Sequence, residues 1–181
     1  VIRFGDDCLD AEYEAIKYSK INNCQFISPY NDYDIISGQG TLGVEIYNQL
    51  PLIDAIFITV GGGGLISGIG HYLKTVNPNI KIFGCSPLNS SIMINSLESN
   101  EIINSESKET LSDGSAGGVE EGSITHKFCK KYIDHSCLVS EYDIASQIIN
   151  SLNYEKILME GAAAVAISSF LNMKDKIKHL N

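Results

Sequence analysis

The chain has 181 residues, 44% of them hydrophobic, which is enough for one domain with a proper core, or one domain and a small appendage. Its formal net charge is −9 and no basic patch is visible, which counts against a nucleic-acid or anionic-membrane partner, because gripping phosphates needs clustered Lys and Arg. The five cysteines (Cys8, Cys24, Cys85, Cys129 and Cys137) form no CxxC pair and the four histidines show no ligand spacing, so reduced thiols in a cytoplasmic protein are expected rather than a metal site or a disulfide framework.

Strands and helices alternate along the chain. Residues 1–4 read as a short strand, and a chain opening on Val inside such an element reads as a sign of truncation. Residues 10 to about 19 read as a helix with Tyr13 and Ile16 on one face, and 25–27 as a second short strand. The turn-rich stretch 28–33 marks a domain boundary. After SGQGT at 37–41 a helix is expected to run to about 49. DAIFITV at 54–60 is a nearly continuous branched apolar run, the pattern of a strand buried on both faces of a parallel sheet. Gly61, Gly62, Gly63 and Gly64 follow, then a helix to about 76 and a second buried strand, IKIFGC, at 80–85. Helices are expected at 89–99 and 125–132, the latter carrying Lys127, Lys130 and Lys131 on one solvated face. Residues 100–122 are polar and Gly-rich, and so read as a loop. A strand at 136–139 precedes an amphipathic helix at 141–154, with Ile144, Ile148 and Leu152 spaced four apart. The helix at 160–171 is apolar on nearly every side and is expected to be central and buried. The alternation predicts an α/β fold, an open parallel sheet flanked by helices. No apolar run is long enough to span a bilayer, and the first residues do not read as a signal peptide.

The chemistry-bearing segment is strand, Gly61-Gly62-Gly63-Gly64-Leu65, helix. Glycines turn without Cβ clashes and bring backbone N–H groups close to a ligand. The helix that follows puts unpaired N–H groups and the positive end of its dipole at the same place, which makes an anion site best matched by a phosphate. No GxxxxGK[ST] is present, so a nucleotide P-loop is excluded. A dinucleotide fold fits poorly, because Cys85 and Ser86 occupy the place of the acidic residue expected about twenty positions on. A Gly-rich turn without a ligand is the remaining alternative.

The stretch SGQGTLGVEIYNQLPLIDAIFITVGGGGLISGIG closely resembles the phosphate-binding region of fold-type II pyridoxal-phosphate (PLP) enzymes, and GQGT with GGGGL resembles the threonine/serine dehydratase and serine racemase branch. TLSDGSAGGVEEGSITHKFCKKYIDHSCLVSEYDIASQI and ILMEGAAAVAISSFL resemble that branch in order and spacing, so the likeness covers essentially the whole chain. It implies a tryptophan synthase β-like fold, with residues 1–34 as the tail of the smaller domain and 35–181 as the C-terminal part of the larger, PLP-binding one. It implies further that Gly61, Gly62, Gly63, Gly64 and the N–H of Leu65 hold the PLP phosphate, that Gly114 lies near the ring edge, and that Glu160 sits beside the ring. Read from the residues alone, Glu160 is equally a helix-start carboxylate stabilised by the dipole. Tyr30 falls where the family lines its pocket, and a core aromatic is the competing reading.

The family's Schiff-base lysine, and the Ser-Asn loop that grips the substrate carboxylate, have no counterpart here; Lys17, Lys74 and Lys127 lie in helical, solvated contexts. Where racemase-like members bind a divalent cation through Glu and Asp, this chain has Ser86 and Ile92, so no metal is expected there. The resemblance therefore implies a PLP-dependent dehydratase or ammonia-lyase acting on a small β-hydroxy amino acid, present as a fragment that lacks its lysine, with a homodimer as the implied assembly. The alternatives are a short non-catalytic binding or interaction module and a serine racemase-like parent.

Overall fold

Two aspartates fix where the first helices start. Asp7 accepts a hydrogen bond from Leu9 N at 2.8 Å and opens α1 (Cys8–Asn22), which ends where Asn23 turns left-handed at φ 51°. Asp32 accepts from Asp34 N at 2.7 Å and Ile35 N at 3.2 Å and opens α2 (Tyr33–Gln49). This helix begins well ahead of the start expected after residue 41. The SGQG segment reads as a breaker, yet it is helical and its Gly40 faces Gly68 of α3 (Gly64–Val76). A Cβ on Gly68 would lie 2.3 Å from Ile36 O and 2.5 Å from Gly40 N, so the two helices meet backbone to backbone.

The computed structural model describes residues 1–103, 105–178 and 180. Its sheet has three parallel strands in the order β1-β2-β3: β1 (Ala55–Thr59), β2 (Lys81–Pro87) and β3 (His135–Val139). Phe57 is opposite Phe83, and Cys85 lies between Thr59 on one side and Cys137 on the other. α4 (Ile92–Ser99) and α5 (Ile124–Tyr132) return the chain from β2 to β3, as parallel pairing requires. α6 (Glu141–Asn150) continues through a π turn at Ser151–Glu155, so the expected helix to 154 changes its hydrogen bonding near its end. α7 (Gly161–Met173) closes the chain's regular structure.

Both faces of the sheet are covered. On one, Ile58, Ile82, Ile66, Ile69, Leu73 and Met93 form a core beneath α3, α4 and α5. On the other, Phe83, Cys85, Val139, Ile144 and Val165 pack under α6 and α7. The alternation of Ile82 and Phe83 between the two clusters is the period-two pattern of a strand buried on both sides.

Three expectations need correction. Residues 1–4 and 25–27 are not strands: among the described residues neither joins a ladder, and both flank α1, where Ile2, Phe4, Phe26 and Ile27 line an open apolar groove. A strand exists only with a hydrogen-bonding neighbour, and neither segment has one here. The helix over 160–171 is not buried all round. It packs on the sheet and α6 through Ala164 and Val165, while Ala163, Phe170 and Leu171 are exposed beside the free edge of β1.

Candidate cofactor-binding site

The carboxyl end of β1 is held by its neighbour. Val60 N donates to Cys85 O at 2.8 Å, and Ser86 Oγ donates to Val60 O at 2.8 Å. The chain then turns through Gly61–Gly64, with Gly63 at φ +86°, where an L side chain is strained. Gly63 is the N-cap of α3 and supplies no side-chain cap. The turn's carbonyls face inward: Thr125 Oγ1 donates to Gly62 O at 2.6 Å, and Ser67 donates to Gly63 O from Oγ at 2.6 Å and from N at 3.1 Å. The N–H groups of Gly64, Leu65 and Ile66 consequently have no intrahelical acceptor, and the positive end of the α3 dipole lies with them.

Two further segments meet this turn. Gly114 lies in a 3-10 turn, Asp113–Ser115, whose Ser115 carbonyl would be 2.9 Å from a Cβ on Gly61. Ser112 Oγ and Ser115 Oγ brace that turn at 2.6 Å. Glu160 is the N-cap residue of α7 but its side chain makes no cap hydrogen bond, and a Cβ on Gly114 would lie 3.9 Å from its Oε2. Thr59 Oγ1 donates to Ala162 O at 2.6 Å and ties the first turn of α7 to β1. A groove of about 290 Å³ runs from Leu65 and Glu160 along the free edge of β1, between Leu42 and Ile46 of α2 and Ala162 and Ala163 of α7. All seven residues singled out in the sequence are thus brought to one end of the sheet: Gly61 to Leu65 form the turn, with Gly114 and Glu160 beside it. Sequence reading missed Thr125, Ser67 and Ser115. They are small hydroxyl residues in ordinary helical or loop contexts, and only their hydrogen bonds distinguish them.

Tyr30 proves to be a core aromatic. It is 8% exposed, and a Cβ on Gly62 would lie 2.4 Å from its ring. Its hydroxyl donates to Glu12 Oε2 at 3.2 Å and accepts from Glu120 N at 2.8 Å, and burial pushes its pKa well above the usual tyrosine value. Ser86 is spent on Val60 O and Ile92 is buried in the core. Among the described residues no group of three or more His, Cys, Asp or Glu is gathered as a metal would need. Two of the lysines named above are engaged elsewhere: Lys74 Nζ donates to Ile80 O and to Asp134 Oδ2, each at 2.7 Å, and Lys17 pairs with Glu14 at 3.2 Å.

An open parallel sheet with a glycine turn at a strand's carboxyl end narrows the fold, and comparison with known proteins decides the family. The family described as pyridoxal-phosphate dependent enzyme matches residues 1–180. The chain belongs to this family. An L-threonine ammonia-lyase of Thermotoga maritima is 39% identical over 167 residues, which are 92% of this chain and 41% of that protein. A catabolic L-threonine dehydratase of Escherichia coli K12 is 34% identical, matching 96% of this chain and 53% of its own length. Among solved structures, the processed threonine deaminase isoform 2 of Solanum lycopersicum superposes with a TM-score of 0.89 at 33% identity, covering 98% of this chain and 49% of that one. Maize serine racemase gives 0.88 at 28% identity, covering 98% and 55%. The chain thus spans roughly half the length of each of these four relatives. Members of this family are pyridoxal-phosphate dependent.

Proposed function

We infer that the chain is the cofactor-anchoring part of a PLP-dependent dehydratase (ammonia-lyase) acting on a β-hydroxy amino acid of the threonine or serine type. What carries this reading is the convergence of the unpaired N–H groups at the start of α3 with Gly114 and Glu160 at one end of a parallel sheet, in a chain 34–39% identical to threonine dehydratases and an ammonia-lyase. Bound PLP would supply an electron sink for the charge that develops at the amino acid's α-carbon as its proton is removed, ahead of loss of the β-hydroxyl. Gly61 to Gly64 and the N–H of Leu65 would hold its phosphate by hydrogen bonds and dipole. Gly114, lacking a side chain, would leave room at the ring edge. Glu160 would place a carboxylate beside the ring, at the N-terminal end of α7. Ser86 and Ile92 offer no anionic oxygen, which supports a dehydratase over a metal-activated racemase.

On the same reading residues 1–34 are the tail of a smaller domain and 35–181 part of the larger one, in a cytoplasmic homodimer. Among the described residues no helix is long and apolar enough to cross a membrane. None of the lysines belongs to a family motif, so the 181-residue chain alone is expected to bind PLP without turning over substrate.

The test is to titrate the chain with PLP, following fluorescence, and to add borohydride and L-threonine. Expected are saturable binding that inorganic phosphate competes away, no uniquely labelled lysine, and no 2-oxo acid. Gly63→Val should weaken binding at least tenfold, because its Cβ would press on Cys129 and Met93 while the backbone holds a left-handed φ. Binding unchanged in Gly63→Val would remove the anchor. A stable monomer with one PLP-labelled lysine and threonine turnover would overturn the fragment reading.

A further inference from the structure

Cys85 and Cys137 lie directly opposite one another in the parallel pairing of β2 and β3. Register partners share a face, and both side chains belong to the apolar cluster beneath α6 and α7. Neighbouring strands run about 4.8 Å apart, inside the roughly 4.4–6.8 Å between Cα atoms that a disulfide spans. Both are free thiols. Both are buried, Cys85 fully and Cys137 with 8% of its surface exposed, so Cys137 is the less enclosed of the two. The Cys85 thiol donates to Phe83 O at 3.5 Å. Ser169 Oγ, buried on α7, faces the Cys85 thiol. The neighbouring Cys85 thiol lowers the Cys137 pKa, burial opposes it and the charge of Lys176 adds to it, for a net shift downward, while Cys137 and burial push Cys85 up. The more acidic and more accessible thiol is the one to react first.

We propose that Cys85 and Cys137 are a reversible redox pair that hydrogen peroxide converts to a cross-strand disulfide linking β2 to β3. The Cys137 thiolate attacks one peroxide oxygen. The O–O bond breaks, the departing hydroxide takes a proton as water, and Cys137 is left as a sulfenic acid. The Cys85 sulfur then attacks the Cys137 sulfur, the S–O bond breaks, and the hydroxyl leaves with the Cys85 proton as a second water. Two thiols are oxidised by the loss of two hydrogens, and one peroxide is reduced to two waters. A dithiol reductant reverses the bond. Cys85 is also the register partner of Thr59, and its carbonyl accepts from Val60 N, so the link forms next to the strand end that carries the glycine turn. The pairing itself does not depend on what that turn binds.

The experiment exposes the 181-residue chain, with the exposed Cys8 and Cys24 replaced by Ser, to equimolar hydrogen peroxide. Free thiols are then alkylated, and the digest is mapped without reductant. Expected is a Cys85–Cys137 linked peptide, two hydrogens lighter than the sum of its parts, as the main product; it disappears after dithiol treatment and is absent in Cys137→Ser. Recovery of Cys137 unmodified or as sulfinic acid with no such link would overturn the proposal. A link that forms as fast in the urea-unfolded chain as in the folded one would overturn it too, because the strand register would then play no part.

Discussion

Residues 1–31 and the sheet-bearing body differ in how they are held. In the body, side chains such as Ile66, Leu73, Ile80 and Ile94 are completely buried, and helices approach one another to backbone contact at Gly68. In the first region Leu9 is the buried residue of α1, while Ile2, Phe4, Ile21 and Ile27 are all more than half exposed. Apart from the Tyr30 ring, which packs on Gly62, it is tied to the body by hydrogen bonds to one loop: Asp7 Oδ1 accepts from Gly118 N at 3.2 Å, Cys8 donates to Ala116 O at 3.7 Å, and Tyr30 OH accepts from Glu120 N at 2.8 Å. Both regions carry apolar runs of strand character, yet only the body's became strands. Patterning selects which side chains seek burial, and a hydrogen-bonding neighbour decides whether a ladder forms.

The comparison can be broken at its strongest point first. Gly68→Val puts a Cβ against Ile36 O and Gly40 N, both backbone atoms that cannot swing away. It should cost about 3 kcal/mol or more by overpacking, read as a loss of the urea unfolding midpoint for the whole body. Ile66→Ala, at a site with no exposure, should cost roughly 2–5 kcal/mol through transfer and cavity terms. Leu9→Ala should leave that body transition within about 0.5 kcal/mol while abolishing hydrogen-exchange protection in α1. Equal effects of Leu9→Ala and Ile66→Ala on one cooperative transition would show that the two regions unfold as a unit.

How much of this was legible follows the same division. DAIFITV and IKIFGC announce buried parallel strands, because branched residues without polar interruption suit a strand covered on both faces. The glycine turn was legible as the break between a buried strand and a helix N-terminus, because four glycines favour neither a ladder nor a helix interior. The start of α2 was not, since Asp32 sits among turn formers and only its bonds to Asp34 N and Ile35 N reveal a cap. Residues 1–4 and 25–27 misled, because period and composition carry no information on whether a partner strand is present. Around the turn, Thr125 and Ser67 stayed hidden, because their role rests on single hydroxyl contacts formed only by tertiary folding. Tyr30 was ambiguous for a similar reason: an aromatic beside a glycine turn suits a pocket or a core, and the approach of its ring to Gly62 decides for the core.

The smallest expected effect is the most specific to the first region, because two carboxylates there titrate in opposite senses. For Asp7, burial raises the pKa, but the N–H groups of Leu9 and Gly118 outweigh it and the net shift is downward. Its contribution is present above the ordinary aspartate value and is lost as pH falls through the lowered folded one. For Glu12, burial dominates, the hydrogen bond from Tyr30 partly offsets it, Glu120 and Asp7 repel it, and the net shift is upward. Its contribution is present below the ordinary glutamate value and is lost as pH rises through the raised folded one. The anchorage of α1 should therefore weaken on both sides of a mildly acidic maximum, seen as hydrogen-exchange protection of α1 amides while the body's protection stays flat. Glu12→Gln keeps an oxygen that can accept from Tyr30 OH and removes the charge. It should erase the alkaline side of that maximum and raise α1 protection at neutral pH by an increment within about 0.5 kcal/mol. Asp7→Asn should instead lower protection at neutral pH, because a neutral amide oxygen is a weaker acceptor for the Leu9 and Gly118 N–H groups. A pH profile of α1 that Glu12→Gln leaves unchanged would place the titrating group elsewhere and remove Tyr30 as the link between α1 and the glycine turn.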